Sequence, residues 1–215
     1  MHRKVAFIEL PVFSGVAPLA SGYMEAFCRK IPPLNEAFTF EKISLPVETP
    51  FDKILKVLVN SDAHIYAFSC YVWNSGLVRR LLTTLLGMKP QAYFMLGGPQ
   101  VMHQGERYLL PQHDNVVLCN GEGEKTFANF LLALCNEPPD FHKVRGLSFY
   151  SDGQLITTES EPRISNLAEI PSPFLEGVFG KNTSSWMLIE PNRVCPFTRN
   201  YCYWGAAIGA RVYKY

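Results

Sequence analysis

Short apolar runs alternate with amphipathic stretches over the first 136 residues, and this alternation constrains the fold more than any other feature. The apolar or alternating runs predict strands at 4–10, 38–45, 64–73, 92–98 and 115–120. Apolar residues at helical spacing predict helices at 22–31, 50–61, 75–90 and 121–136. Because strands that alternate with helices form βαβ units, we expect an α/β fold: a Rossmann-like parallel sheet with helices on both faces.

The pattern changes after residue 136. Two alternating runs flank Ser151-Asp152-Gly153 within 146–159, which predicts a β-hairpin, and 184–193 predicts one more strand. We therefore divide the chain into a Rossmann-like domain (1–138), a hairpin and linker (139–183) and a C-terminal extension (184–215).

The composition favours a well-packed protein, since 47% of the residues are hydrophobic and 18% are charged. The net charge is +1 and the basic residues are scattered, which argues against a nucleic-acid partner. No run of 18 apolar residues predicts a membrane span, and the N-terminus lacks a secretory signal. We expect a cytoplasmic protein whose six cysteines are mostly reduced thiols.

Ligands of open α/β sheets collect at the carboxyl ends of the strands. Four segments follow predicted strands there, three of them rich in glycine, and they supply the candidate binding residues. These are Ser14, Gly15, Pro18 and Leu19; Ser69, Cys70, Tyr71, Val72, Trp73 and Asn74; Gly97, Gly98, Pro99, Gln100 and Val101; and Asn120, Gly121, Glu122 and Gly123. Trp73 either packs in the core or forms a flat wall for a ligand, and its position favours the wall.

Two other sequence patterns are weaker evidence for a binding or metal site. The loop 121–127 has the glycines of a phosphate-binding turn but no P-loop lysine, and Glu122 and Glu124 would repel phosphate. A tight turn before a helix explains it equally well. Asp62-Ala63-His64 imitates an Asp-x-His cobalt ligand, but His64 precedes a strand and lies at the wrong edge, so we expect no metal role.

Cys195 and Cys202 lie seven positions apart, with Arg199 between them. A cysteine at 199 would complete C-x3-C-x2-C, the spacing of an iron–sulfur ligand string. Arginine offers no lone pair and keeps a positive charge, so we expect neither a [4Fe–4S] cluster nor another metal from these residues. Zinc held with two ligands from elsewhere remains an alternative.

The order of "GGPQV" (97–101), "GEGEKTF" (121–127), the hairpin, "EIPSPF" (169–174) and "CPFTRNYCYWG" (195–205) resembles the cobalamin-binding radical SAM proteins. The resemblance covers essentially the whole chain. It implies a cobalamin domain at 1–138 and the start of a radical SAM barrel at 184–215. It also implies that Trp73 faces the lower side of cobalt where other proteins supply histidine, with dimethylbenzimidazole held away from the metal.

Two departures from the family lead to an expectation about activity. Arg199 replaces the middle cluster cysteine, and about 30 residues follow Trp186, against about 200 in a barrel. We therefore expect a stand-alone corrinoid-binding carrier, accessory or regulatory subunit, with no catalytic residues of its own. The alternatives are the cobalamin-binding half of a split methyltransferase, whose radical SAM barrel is a partner protein, and an adaptor that has lost the cofactor.

Overall fold

The computed structural model describes residues 2–180, 186–193 and 213–214. Its main feature is a seven-stranded sheet in the order β2-β1-β3-β4-β5-β6-β7. The first five strands in sequence are parallel, and β6 and β7 add an antiparallel hairpin to the same sheet. The strands are β1 (Arg3–Glu9), β2 (Phe38–Ser44), β3 (Ile65–Ser69), β4 (Tyr93–Gly97), β5 (Val116–Cys119), β6 (Leu147–Ser151) and β7 (Gln154–Thr157).

Helices cover both faces of this sheet, as the alternation of strands and helices predicts. They are α1 (Leu19–Arg29), α2 (Pro32–Ala37), α3 (Phe51–Asn60), α4 (Ser75–Met88), α5 (Gly105–Tyr108) and α6 (Gly123–Leu134). One face buries α3, α4 and α5 against residues such as Ile8, Tyr66 and Phe94. The other buries α1, α2 and α6 against residues such as Phe7 and Met95. The predicted α/β fold is confirmed.

The strand order reverses between β1 and β3. The chain leaves β1 through α1 on one face to reach β2, and it leaves β3 through α4 on the other face to reach β4. The loops after β1 and β3 therefore diverge to opposite faces and leave a crevice between them. Such a reversal is the usual ligand position in open α/β sheets.

Several boundaries differ from the sequence-based expectation. The strand predicted at 64–73 ends at Ser69, because the Asn74 side chain folds the next residues into a turn. Pro32 and Pro33 begin α2, a helix that the sequence pattern did not predict. Proline is tolerated there because the backbone N–H groups in the first turn of a helix have no partner within the helix. In the described part of 184–193, Trp186 forms an isolated bridge with Val16, and Asn192–Arg193 (β8) pairs with Tyr213–Lys214 (β9).

Candidate functional site

Asn74 joins the two loops that flank the crevice. Its side chain is almost fully buried; its Nδ2 donates to the carbonyl oxygens of Leu10 (3.3 Å) and Ser69 (2.9 Å), and its Oδ1 accepts from the amide of Tyr71 (2.8 Å). One amide side chain thus fixes the ends of β1 and β3 and the turn between β3 and α4. Because a buried amide needs partners for its donors and acceptor, this geometry is tightly determined.

Gly98 brings the loop after β4 against the loop after β3. Its φ of +105° is in the region that favours glycine, and a Cβ there would lie 2.6 Å from the carbonyl oxygen of Cys70. Cys70 donates its amide to the Gly97 carbonyl (2.7 Å) and accepts from the Gln100 amide (3.3 Å). Gly98 therefore serves close contact between two backbones.

Aromatic and apolar side chains stand open at the crevice. The rings of Tyr71 and Trp73 stack, with centroids 4.6 Å apart and an interplanar angle of 3°. Trp73 is 50% exposed and Val72 is 75% exposed, while Phe13, in the loop after β1, is 76% exposed. Exposed apolar side chains grouped at a ligand edge indicate a binding surface more often than chance exposure does. Trp73 is therefore not a core residue, and its role as a wall for a ligand stays a prediction.

The loop after β5 is held from several sides. Asn120 is buried; its Oδ1 accepts from the amide of His103 (2.7 Å), and its Nδ2 donates to Ser148 Oγ (2.9 Å). Glu122 accepts from the amide of Ile164 (3.1 Å). Gly121 has a φ of +90° and lies exposed, so it leaves its backbone open at this edge.

Glu124, in the first turn of α6, binds Arg193 through two hydrogen bonds of 3.1 and 2.5 Å. Arg193 also pairs with Glu190 (3.0 Å), and its guanidinium lies over the Tyr23 ring. Burial disfavours the charged guanidinium, but the hydrogen bond and charge of Glu124 outweigh it and raise the pKa of Arg193. The Arg193 guanidinium therefore stays ionised. It ties the segment before the cysteine pair to the loop at the sheet edge.

Glu9, the last residue of β1, is 9% exposed, and its Oε1 atom has no hydrogen-bond partner. Burial raises the pKa of its carboxyl group, while the nearby hydroxyls of Ser21 and Ser69 and the charge of Lys42 oppose that rise. Glu9 and Ser69 each follow the paired residues Ile8 and Phe68, so they are neighbours across the sheet. An orphaned, buried carboxyl oxygen at the ligand edge demands an explanation.

A cavity of about 470 Å³ opens beside the loop after β1. Its wall includes Gly15 to Pro18, the ion pair of Lys42 with Glu25, Arg29, and two phenylalanines, Phe40 and Phe179. Of the predicted binding residues, Gly15 and Pro18 line it. The cavity lies towards the edge strand β2, away from the stacked rings at the crevice.

The predicted binding residues all follow β1, β3, β4 or β5, at one edge of the sheet, but their side chains differ in use. Cys70 and Val101 are fully buried in the core, and burial raises the pKa of Cys70 and of Cys119 to about 12, so both are thiols. Asn74 and Asn120 serve the protein's own hydrogen bonds. The exposed members are Ser14, Gly15, Val72, Trp73, Pro99 and Gly121. Direct ligand contact by any of them remains a prediction.

No group of three histidine, cysteine, aspartate or glutamate side chains within the described residues forms a metal site. His64 lies before β3, at the edge opposite the crevice, where its Nδ1 accepts from the amide of Lys4 (3.1 Å). Cys195, Arg199 and Cys202 lie outside the described residues. In the part that is described, no helix has the length and apolar character needed to cross a bilayer.

Sequence reasoning missed three features of the site. Phe13 and Val12 fall in a segment we singled out for its glycine, although their apolar side chains beside it were a visible signal. Glu9 interrupts an otherwise apolar strand, and an acid in such a run is an available sign of a buried polar position. The pairing of Glu124 with Arg193 spans 69 residues and leaves no local signal.

No protein-family model matches the sequence. Two curated proteins align with almost all of it. The cobalamin-dependent radical SAM methyltransferase TokK of Streptomyces tokunonensis is 27% identical over 222 residues, which is 99% of this chain and 32% of TokK. The 2-(S-pantetheinyl)-carbapenam-3-carboxylate methyltransferase of Streptantibioticus cattleyicolor is 26% identical, over 95% of this chain and 31% of that protein. The chain spans about a third of the length of these relatives.

Solved structures share the fold. The cobalamin-dependent S-adenosylmethionine radical enzyme OxsB, with aqua-cobalamin and S-adenosylmethionine bound, matches with a TM-score of 0.69 and 20% identity over 92% of this chain and 28% of OxsB. The radical S-adenosylmethionine methyltransferase TsrM from Kitasatospora setae, with cobalamin and a [4Fe-4S] cluster bound, matches with a TM-score of 0.67 and 15% identity over 100% of this chain and 44% of TsrM.

Sequence similarity and fold thus agree over nearly the whole chain, in the order of motifs that first suggested the resemblance. The chain is similar in sequence, over nearly its whole length, to about a third of the cobalamin-dependent radical SAM methyltransferase TokK, and it shares its fold with part of the radical S-adenosylmethionine enzymes OxsB and TsrM.

Proposed function

We propose that this chain binds a corrinoid, cobalamin, at the carboxyl edge of its sheet. The observation that carries the proposal is the stacked Tyr71–Trp73 pair, with its half-exposed indole, at the point where the strand order reverses. A flat macrocycle would cover apolar rings that otherwise face water. The similar proteins TokK, OxsB and TsrM, which are named as cobalamin-dependent or cobalamin-bound, support the same ligand.

The residues present suit such a ligand. Trp73 and Tyr71 offer a flat surface, the backbone at Gly121 is open, and Glu9 offers an unpartnered oxygen nearby. We assign Trp73 to the lower side of the cobalt, so neither histidine nor dimethylbenzimidazole is a lower ligand. The position of His64 at the opposite edge supports this assignment. A bound corrinoid would supply the cobalt chemistry, while the protein would bind it, orient it and exclude water.

For the role of the bound corrinoid we propose a carrier, accessory or regulatory subunit without a working iron–sulfur site. Arg199 supports this role, because it stands where a C-x3-C-x2-C string needs its middle thiolate. The second candidate is the cobalamin-binding part of a methyltransferase whose radical SAM barrel is a separate chain. The methyltransferase names of both curated relatives favour it. A cytoplasmic location belongs to both candidates.

Titration of the purified protein with hydroxocobalamin tests the binding. We expect a shifted corrin absorption spectrum with saturation at micromolar ligand. A spectrum that matches free hydroxocobalamin at every protein concentration would overturn the proposal and favour an adaptor without cofactor. Anaerobic reconstitution with iron and sulfide tests the role separately, and a stoichiometric cluster would contradict the assignment of Arg199.

Trp73→Ala tests the placement of the indole. We expect the variant to fold normally, because half of the side chain is exposed, and to bind hydroxocobalamin with an altered cobalt spectrum. Met88→Ala is the matched control, since Met88 is 52% exposed at the far end of α4. A spectrum identical to the wild type for the Trp73 variant would remove the ring from the lower face of the cobalt.

A further inference from the structure

We propose that Glu9 is a ligand-contacting residue, whose Oε1 accepts a hydrogen bond from an N–H group of the bound corrinoid. This inference rests on the proposed corrinoid binding and adds a residue and a chemistry to it. No other proposed contact of the corrinoid explains why Glu9 is buried with an unpaired carboxyl oxygen at this edge.

The position of Glu9 follows from the alternation of side chains along β1. Val5 and Phe7 pack on the face that carries α1 and α6, so Glu9 lies on that face, at the carboxyl end of the strand. The neighbouring positions in the same row hold small residues. Ser44 pairs with Glu9 on one side, Ser69 follows on the other, and Gly97 pairs with Ser69. The residues beside the carboxyl group in this row are therefore small.

The surroundings of Glu9 favour a neutral acceptor. Ser21 Oγ lies 3.1 Å from the carbonyl oxygen of Pro18, and when its one proton is donated there its oxygen can accept from Glu9. A protonated Glu9 donates to such an oxygen and keeps its other oxygen as an acceptor. The raised pKa of Glu9, caused first by burial, agrees with the protonated form. Lys42 does not supply the missing partner, because its ammonium group binds Glu25.

An unpaired buried oxygen is costly unless a partner arrives with the ligand. Phe13, Val72 and Trp73 would pack against the apolar part of a corrinoid, but their side chains offer no acceptor for an N–H group of the ligand, since the indole N–H of Trp73 only donates. Corrinoids carry primary carboxamide groups on the ring periphery, and their N–H groups are the matching donors. The nucleotide loop of cobalamin also carries an amide N–H. The shared chemistry is an amide donor from the ligand to Oε1.

Glu9→Met tests this contact against a purely structural role. The apolar side chain removes the acceptor and the orphaned oxygen together. We expect the ligand-free variant to be at least as stable as the wild type, and its Kd for hydroxocobalamin to rise about tenfold, the value of one hydrogen bond. Affinity and stability would thus move in opposite directions. Glu9→Leu serves the same purpose if the methionine variant does not fold.

Two controls complete the comparison. Glu9→Gln keeps one donor and one acceptor in the shape of a neutral carboxyl group, and we expect its Kd to stay within about twofold of the wild type. Glu36→Gln removes an exposed carboxylate on α2 and should leave the Kd unchanged. If the wild type binds and Glu9→Met binds equally well, the inference is overturned. If the wild type itself does not bind, the proposed function fails first.

Aquacobinamide lacks the phosphate, ribose and base but keeps the ring carboxamides and the amide of the aminopropanol side chain. A tenfold loss for Glu9→Met with both corrinoids therefore supports an amide donor that the two ligands share. A loss with hydroxocobalamin alone would overturn the amide donor, because the missing nucleotide part carries no amide N–H. Equal affinity of wild type and variant for both ligands removes Glu9 from the binding site.

Discussion

The two edges of the central sheet treat their polar groups in opposite ways. At the amino edge, His64 accepts from the amide of Lys4, Lys4 pairs with Asp62, and Asn115 Nδ2 donates to the carbonyl oxygens of Pro90 and Ala92. At the carboxyl edge, Trp73 and Phe13 face solvent and Glu9 keeps an orphaned oxygen. At the amino edge these polar groups form hydrogen bonds and ion pairs with the protein's own atoms. At the carboxyl edge, exposed rings and an unpaired oxygen remain available to a ligand.

This difference shows where a doubly wound sheet tolerates incomplete packing. The order of the strands reverses between β1 and β3, so the loops at their carboxyl ends diverge. Within this open edge, Asn74 and Gly98 hold the backbone rigidly, and the exposed rings are mounted on that support. A rigid backbone that carries exposed rings and an unpaired polar atom is the arrangement that a preorganised ligand site needs.

The largest effect should come from Gly98→Ala, which disrupts this rigid backbone. A Cβ at φ +105° is strained, and it would lie 2.6 Å from the Cys70 carbonyl oxygen, so we expect a loss of about 3 kcal/mol in the free energy of unfolding. Gly76→Ala is the control, because nothing lies within 4 Å of its added Cβ, within α4. That change should stabilise by about 0.5–1 kcal/mol. Urea unfolding measures both, and equal effects would refute the close-approach argument.

Asn74→Ala should rank second. The change removes three hydrogen bonds of a buried amide and leaves the Tyr71 amide without its side-chain acceptor, so we expect a loss of about 2–3 kcal/mol. Corrinoid binding should weaken too, because the stacked pair rests on this turn. Asn115→Ala, which deletes a half-buried amide at the amino edge, should lower stability by about 1 kcal/mol without changing the Kd. A similar change in Kd for both variants would erase the distinction between the edges.

The sequence predicted the layout of this site better than its chemistry. Period-two and helical spacing are local signals, so they located β1, β3, β4 and β5 and hence the edge where their loops meet. The use of each side chain depends on partners far along the chain. Asn74 reaches back 64 residues to Leu10, and Glu124 reaches forward 69 residues to Arg193. Periodicity carries no information on such pairs, so neither Asn74 nor Asn120 was recognisable from the sequence as a structural support.

Glycine shows the same limit in another form. Gly98 and Gly121 both looked like binding-loop glycines, yet one serves a close contact between backbones and the other leaves its backbone open. Both have positive φ, so conformation alone does not separate them. The distinction lies in what a Cβ would meet, and that depends on the approach of a strand distant in sequence.

The smallest effect concerns the pH dependence of stability at the open edge. The pKa of Glu9 is raised in the folded protein, chiefly by burial, so the folded state retains a proton that the unfolded chain has released. The stability from this neutral carboxyl is complete below the ordinary carboxyl pKa and is lost as the pH rises through the raised folded value. The slope is at most about 1.4 kcal/mol per pH unit.

Glu9→Gln is permanently neutral and should not show this loss, so its stability relative to the wild type should increase as the pH rises through that window. Lys42 on β2, its partner Glu25 on α1, and Cys70 and Tyr71 after β3 are the other titratable groups that face this region. They are present in both proteins, so the difference between the two urea-unfolding profiles isolates Glu9. Glu36→Gln should run parallel to the wild type. If Glu9→Gln also runs parallel, Glu9 is ionised in the folded protein, and the open edge holds a charge rather than a neutral acceptor.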